Sequence, residues 1–65
     1  DGISLKEEEL EVLRLSAAGL TMTEIANRMC RSLDSIKFYK RHAFDKLGVT
    51  NITEAISRAT LNKLF

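Results

Sequence analysis

Residues 32–47 read SLDSIKFYKRHAFDKL, and the placement of apolar groups in this stretch decides the fold. On a helix of about 3.6 residues per turn, Ile36, Ala43 and Leu47 fall on one narrow stripe, with Tyr39 beside it and Phe44 on the other flank. That stripe is a core-facing seam. The opposite side carries Asp34, Lys37, Phe38, Arg41 and Asp45, so two cations and an aromatic ring sit one turn apart on a face that the seam leaves outside the core. Such a face calls for an anionic, grooved partner.

Working outward, the signals on both sides are helical. Gly48 ends this helix, and Asn51-x-x-Glu54 forms a capping box for a last one carrying Ala55, Ile56, Ala59, Thr60 and Leu64. Upstream, Thr21-x-x-Glu24 is another capping box, followed at helical spacing by Met22, Ile25, Ala26 and Met29. Cys30 and Arg31 make a tight connection in which Cys30 takes the place of a small semi-buried residue, and Ser32 caps the helix that follows. Two short-linked helices, the second polar on its outward face, form a helix-turn-helix. The first helix of the chain places Leu10, Val12, Leu13, Ala17 and Leu20 on its inner side, with the acidic run Glu7 to Glu11 in its first turns, where the helix dipole favours anions. Ser4 with Glu7 is the expected cap, and Gly19 the stop. No β alternation persists and proline is absent. The expectation is an all-α, compact four-helix domain with helices at about 6–18, 22–29, 33–47 and 52–64.

With 65 residues, the chain is one domain whose core covers only about 60% of the surface the unfolded chain would show. Marginal stability follows. An apolar fraction of 45% and a charged fraction of 29% exclude a disordered chain. No apolar run approaches the roughly 18 residues of a membrane span, one cysteine cannot form an internal disulfide, and no signal-peptide pattern is present, so a reducing, cytoplasmic setting without membrane contact is expected. The chain opens Asp1-Gly2-Ile3-Ser4 without an initiator methionine, and a C-terminal piece of a longer protein is expected. The net charge of +1 conceals a strong asymmetry. Residues 1–26 hold two cations against six anions, whereas residues 27–47 hold six cations against two anions. Positive charge therefore gathers where the outward helix face lies.

Taken together, Leu5, Glu9, Glu11-Val12-Leu13, Gly19, Thr21, Glu24-Ile25-Ala26, Ser32, Ile36-Lys37, Lys46-Leu47-Gly48-Val49 and Glu54-Ala55 resemble the LuxR-type helix-turn-helix domain, the DNA-binding output module of bacterial response regulators and quorum-sensing regulators. The ordered set covers the chain almost end to end. Departures from the family pattern include Lys6 in place of a capping Ser or Thr, Met22-Thr23 in place of Asn-Lys, Tyr39 in place of His, and Ile52 in place of Arg.

The resemblance implies a sequence-specific DNA-binding domain of a bacterial transcriptional regulator, with the third helix in the major groove of double-stranded DNA. Lys37, Phe38 and Arg41 are then the base readers, the same three residues that the helical wheel alone places outward. Lys37 and Arg41 can donate to guanine O6 and N7, and Phe38 can pack on a thymine methyl. Phosphate contacts are expected from Thr21, Thr23, Ser32, Ser35, Lys40 and Lys46, since helix N-termini and basic side chains both favour anions. For Thr21 and Ser32, capping and phosphate contact are compatible. Tyr39 reads as a partly buried packing residue and His42 as a solvated flank. The resemblance also implies a weak homodimer through Ile52, Ala55, Ile56, Ala59 and Lys63, with the bland alternative that these residues close the core, and recruitment through contact with RNA polymerase.

Two other readings compete. A promoter-reading helix-turn-helix of sigma factors shares the pattern of the first three helices, but Lys46-Leu47-Gly48-Val49 and the closing helix favour the LuxR type. A small helical protein-interaction module would surround Phe38 with apolar residues instead of Lys37 and Arg41. One histidine, one cysteine, no clustered ligands and no glycine-rich phosphate loop argue against an enzyme, a metal site or a cofactor.

Overall fold

The computed structural model describes residues 4–64. Over that range the chain forms α1 (Glu7–Ala17), α2 (Met22–Met29), α3 (Leu33–Leu47) and α4 (Ile52–Leu61). The helix order is the expected one, and α2 and α3 have the expected bounds. Helices α1 and α4 are shorter than expected, for reasons visible at their ends.

Helix α1 is not capped by Ser4. Its N-cap is Lys6, whose backbone N–H donates to Glu9 Oε1 at 2.9 Å. An ammonium has no acceptor to return the exchange, so only the glutamate half of a capping box operates here. The other starts follow the sequence. Thr21 Oγ1 accepts from the Glu24 amide at 3.2 Å while the Thr21 amide donates to Glu24 Oε1 at 2.8 Å, and Ser32 Oγ accepts from the Ser35 amide at 3.2 Å. Asn51 Oδ1 accepts from the Glu54 amide at 2.9 Å.

All four helices end alike. A residue in the left-handed region, Gly19 (φ 94°), Cys30 (φ 56°), Gly48 (φ 70°) or Lys63 (φ 57°), turns the chain. The next amide then reaches back: Leu20 to the Leu15 carbonyl, Arg31 to Ala26, Val49 to Phe44 and Leu64 to Ala59, at 2.9 to 3.2 Å. These are Schellman closures, which satisfy carbonyls the helix itself leaves unpaired. In three of them the returning residue is apolar and folds onto the core, which is why α4 stops at Leu61 instead of running to Leu64. Cys30, expected to be semi-buried, is exposed, because its position is the turn itself.

Two apolar clusters share α1 and α3. Leu13, Ala43, Leu47, Val49, Ala55 and Ala59 pack between α1, α3 and α4, while Val12, Leu15, Ile25, Ala26 and Ile36 pack between α1, α2 and α3. Helices α2 and α4 do not touch. Two details differ from the sequence reading. Ala17 is exposed and Leu15 takes the buried place on α1. Ala55 and Ala59, assigned to a dimer surface, are wholly enclosed beside Ala43, since only small side chains let α3 and α4 approach this closely. They are core residues and cannot meet a partner.

Candidate nucleic-acid interface

With Ile36, Ala43 and Leu47 buried, helix geometry fixes what α3 turns outward. Lys37, Phe38 and Arg41 are all exposed, as the wheel requires, and Asp34 and Asp45 share their side. Phe38 stands 56% exposed. Its ring centre lies 4.3 Å from that of His42 one turn on and 6.1 Å from that of Tyr39, in an edge contact. These ring contacts restrict the Phe38 side chain while leaving more than half of it exposed. Tyr39 is half-buried against the α1–α2–α3 cluster, as expected.

His42 is more than the solvated flank residue the sequence suggested. Its Nδ1 lies 3.5 Å from Glu9 Oε2, and the other carboxylate oxygen, Oε1, accepts from Lys46 Nζ at 2.9 Å as well as from the Lys6 amide. Glu9 is 1% exposed, among the most enclosed side chains in the domain. A single buried carboxylate thus ties the start of α1 to the second half of α3, and through His42 it backs Phe38. Lys46, read as a phosphate contact, has a second task here: its ammonium is engaged by Glu9, so it also holds the fold. Only the chain fold reveals this, since Lys46 and Glu9 are far apart in sequence and look like two ordinary surface charges.

Burial by itself would push the Glu9 carboxyl up. The Lys6 amide, then Lys46 and His42, outweigh that and hold it below its ordinary value of 4.5. A lowered folded-state value means that the carboxylate stabilises the fold at neutral pH and ceases to do so as pH falls through that value. The Glu24 carboxyl is lowered too, by the Thr21 amide and then its hydroxyl. Urea titrations should therefore show wild-type stability dropping below about pH 5. In Glu9→Gln that drop should be smaller and stability at pH 7 lower; parallel curves would remove this role.

Beside the outward face, Met22, Lys37, Lys40, Arg41 and Phe44 line a groove of about 240 Å³. Lys40 Nζ lies 3.9 Å from the Met22 sulfur and 5.6 Å from the centre of the Phe44 ring. Its stem and head cover apolar surface while the charge stays at the rim. Met22 and Phe44 were not singled out as site residues, and their helical spacing marked them only as packing. Other expected anion contacts lie at helix starts: Thr21 and Thr23 open α2, and Ser32 and Ser35 open α3. Thr21 and Ser32 oxygens already accept one amide each, and a hydroxyl has a second lone pair and a proton to offer. Ser32 Oγ spends that proton on Ser35 Oγ at 3.0 Å. A larger hollow of about 330 Å³ lies between Glu7, Glu8 and Glu11 of α1 and Arg28, Met29 and Arg31. Its two signs offset one another, with Arg31 3.9 Å from Glu8, so it does not present a cationic surface.

Residues 4–59 match the model of the luxR family of bacterial regulatory proteins. The chain belongs to that family. Similar proteins include the transcriptional regulatory protein RcsB of Escherichia coli (strain K12), 49% identical over 47 residues, which are 72% of this chain and 22% of RcsB. Another is the HTH-type transcriptional regulator AlkS of Alcanivorax borkumensis, 33% identical over 57 residues, which are 88% of this chain and 6% of AlkS. Among solved structures, that of the response regulator ChrA of a heme-sensing two-component system superposes with a TM-score of 0.90 at 32% identity, over 95% of this chain and 31% of ChrA. This luxR-family domain thus spans less than a third of each of these relatives. As a member of the family it is a DNA-binding domain of the kind carried by transcription regulators. Among its described residues, no helix is long and apolar enough to cross a membrane.

Proposed function

We propose that this domain reads operator DNA by placing the N-terminal half of α3 in the major groove, as the sequence-specific element of a bacterial transcription regulator. The observation that carries this reading is the exposure of Lys37, Phe38 and Arg41 together on the face opposite the buried stripe of α3. A helix of 15 residues is about 22 Å long and fits a groove about 12 Å wide. Lys37 and Arg41 donate to purine edges and Phe38 packs on thymine methyls. Thr21, Thr23, Ser35 and Lys40 fix the register on phosphates, and Ser32 joins them by turning its proton from Ser35 to a phosphate oxygen. Lys46 adds to them while its ammonium also holds Glu9. Two copies associate weakly on paired half-sites through the outer side of α4, where Ile52 and Ile56 are half-buried and Lys63 is exposed; the regulator then recruits RNA polymerase.

Anisotropy of labelled duplexes measured across a salt series tests the reading. Affinity should fall with a log–log slope of about −0.9 for each phosphate neutralised, so of order −1 to −3 per domain. No binding to any duplex at low ionic strength would overturn it. Ultracentrifugation showing a single copy on a duplex with two half-sites would remove the dimer.

A further inference from the structure

The outward face of α3 contains a group that a surface built only to attract DNA would lack. Asp34 lies three residues before Lys37, four before Phe38 and seven before Arg41, so all four share one side of the helix. It is the second residue of α3 and is exposed. Among the described residues it enters no ion pair and no side-chain hydrogen bond, although Lys37 stands one turn away. Asp45, the other carboxylate of this side, is near the C-terminal end of the helix and outside the half that enters a groove.

A carboxylate carried into the major groove meets phosphates on both walls, and every base edge that offers only acceptors repels it. Two edges carry a donor, adenine N6 and cytosine N4, but adenine sets its N7 acceptor beside the amino group; only the cytosine edge is donor alone, and with it a carboxylate pairs. Taking α3 as the groove-reading helix, we infer that Asp34 is a specificity-determining residue that selects a C·G pair at one operator position by accepting from cytosine N4 and penalises acceptor-only edges there. Lys37 and Arg41, one and two turns further along α3, supply attraction, and Asp34 supplies exclusion. Discrimination commonly needs such a repulsive element as well as attractive ones. Helix-dipole stabilisation also favours an acid at this position, but a residue serving only that end would leave base preference untouched when made neutral.

The test is selection of bound sites from a random duplex library by the wild-type chain and by Asp34→Asn, with circular dichroism to show equal helix content. Wild type should enrich cytosine at one position. Asn pairs with adenine N6 and N7, so the variant should replace cytosine by adenine at that position alone, with a change in preference on the order of 10- to 100-fold and the other positions unaltered. The same consensus with uniformly tighter binding would overturn the inference, leaving Asp34 a general electrostatic penalty. Failure of the wild type to retain any duplex would instead overturn the DNA reading, and this inference with it.

Discussion

Leu13→Ala should all but unfold this domain. Leu13 is fully enclosed between α1, α3 and α4, and three of its neighbours in that cluster, Ala43, Ala55 and Ala59, are alanines. Alanine has no longer side chain to swing into a vacated space, so the cavity left by three lost carbons stays open. Truncations at sites that cannot collapse lie at the upper end of the range, about 3 to 5 kcal/mol. A chain of 65 residues has a total stability of roughly 3 to 10 kcal/mol. At about 4 to 8 °C per kcal/mol for a domain this small, the melting temperature should fall by at least 12 °C. Leu15, at the rim of the other cluster, should cost less when truncated, and Leu61, 77% exposed, should cost almost nothing. Thermal melts of the three alanine variants check this order; equal losses at positions 13 and 61 would refute the packing described.

Arg41→Ala should reduce affinity for the operator by about 1 to 3 kcal/mol, roughly 5- to 150-fold, and should relax preference at a single base pair. The arginine is exposed on the outward side of α3, and its planar fork matches the two acceptors of a guanine edge. On random duplexes the loss should be smaller, because only a charge disappears. Lys46→Ala gives the contrast. Since its ammonium is bound to Glu9, the variant should melt earlier yet keep the wild-type base preferences. Binding curves on operator and random DNA, read beside melting curves, separate the two roles. Equal loss of discrimination in both variants would refute the separate roles assigned to these two cations.

Most of the architecture was legible because it rests on local chemistry. Thr21 with Glu24, Ser32 and Gly48 act within a few residues of themselves, and the stripe of Ile36, Ala43 and Leu47 follows from periodicity alone. The exposed set on α3 is the complement of that stripe, so it too could be read from the sequence. The misreadings have other causes. Ser4 looked the better cap because Lys6 has no acceptor, but the backbone of Lys6 serves where its side chain cannot. Ala55 and Ala59, as apolar residues of the last helix, suited a contact between copies as well as a core, and only the approach of α3 to α4 decides which contact they make. The Glu9 cluster was illegible because its partners come from the far end of α3, and like the groove beside Met22 and Phe44 it exists only once helices from separate parts of the chain are laid together.

The absence of any contact between α2 and α4 has a consequence for change over time. Whatever modifies the outer side of α4 can reach α2 only through α1 and α3, whose enclosed side chains resist movement. The domain is thus modular at its two flanks: a new association surface can be tried on α4 while the phosphate-facing start of α2 is retuned, each without disturbing the other.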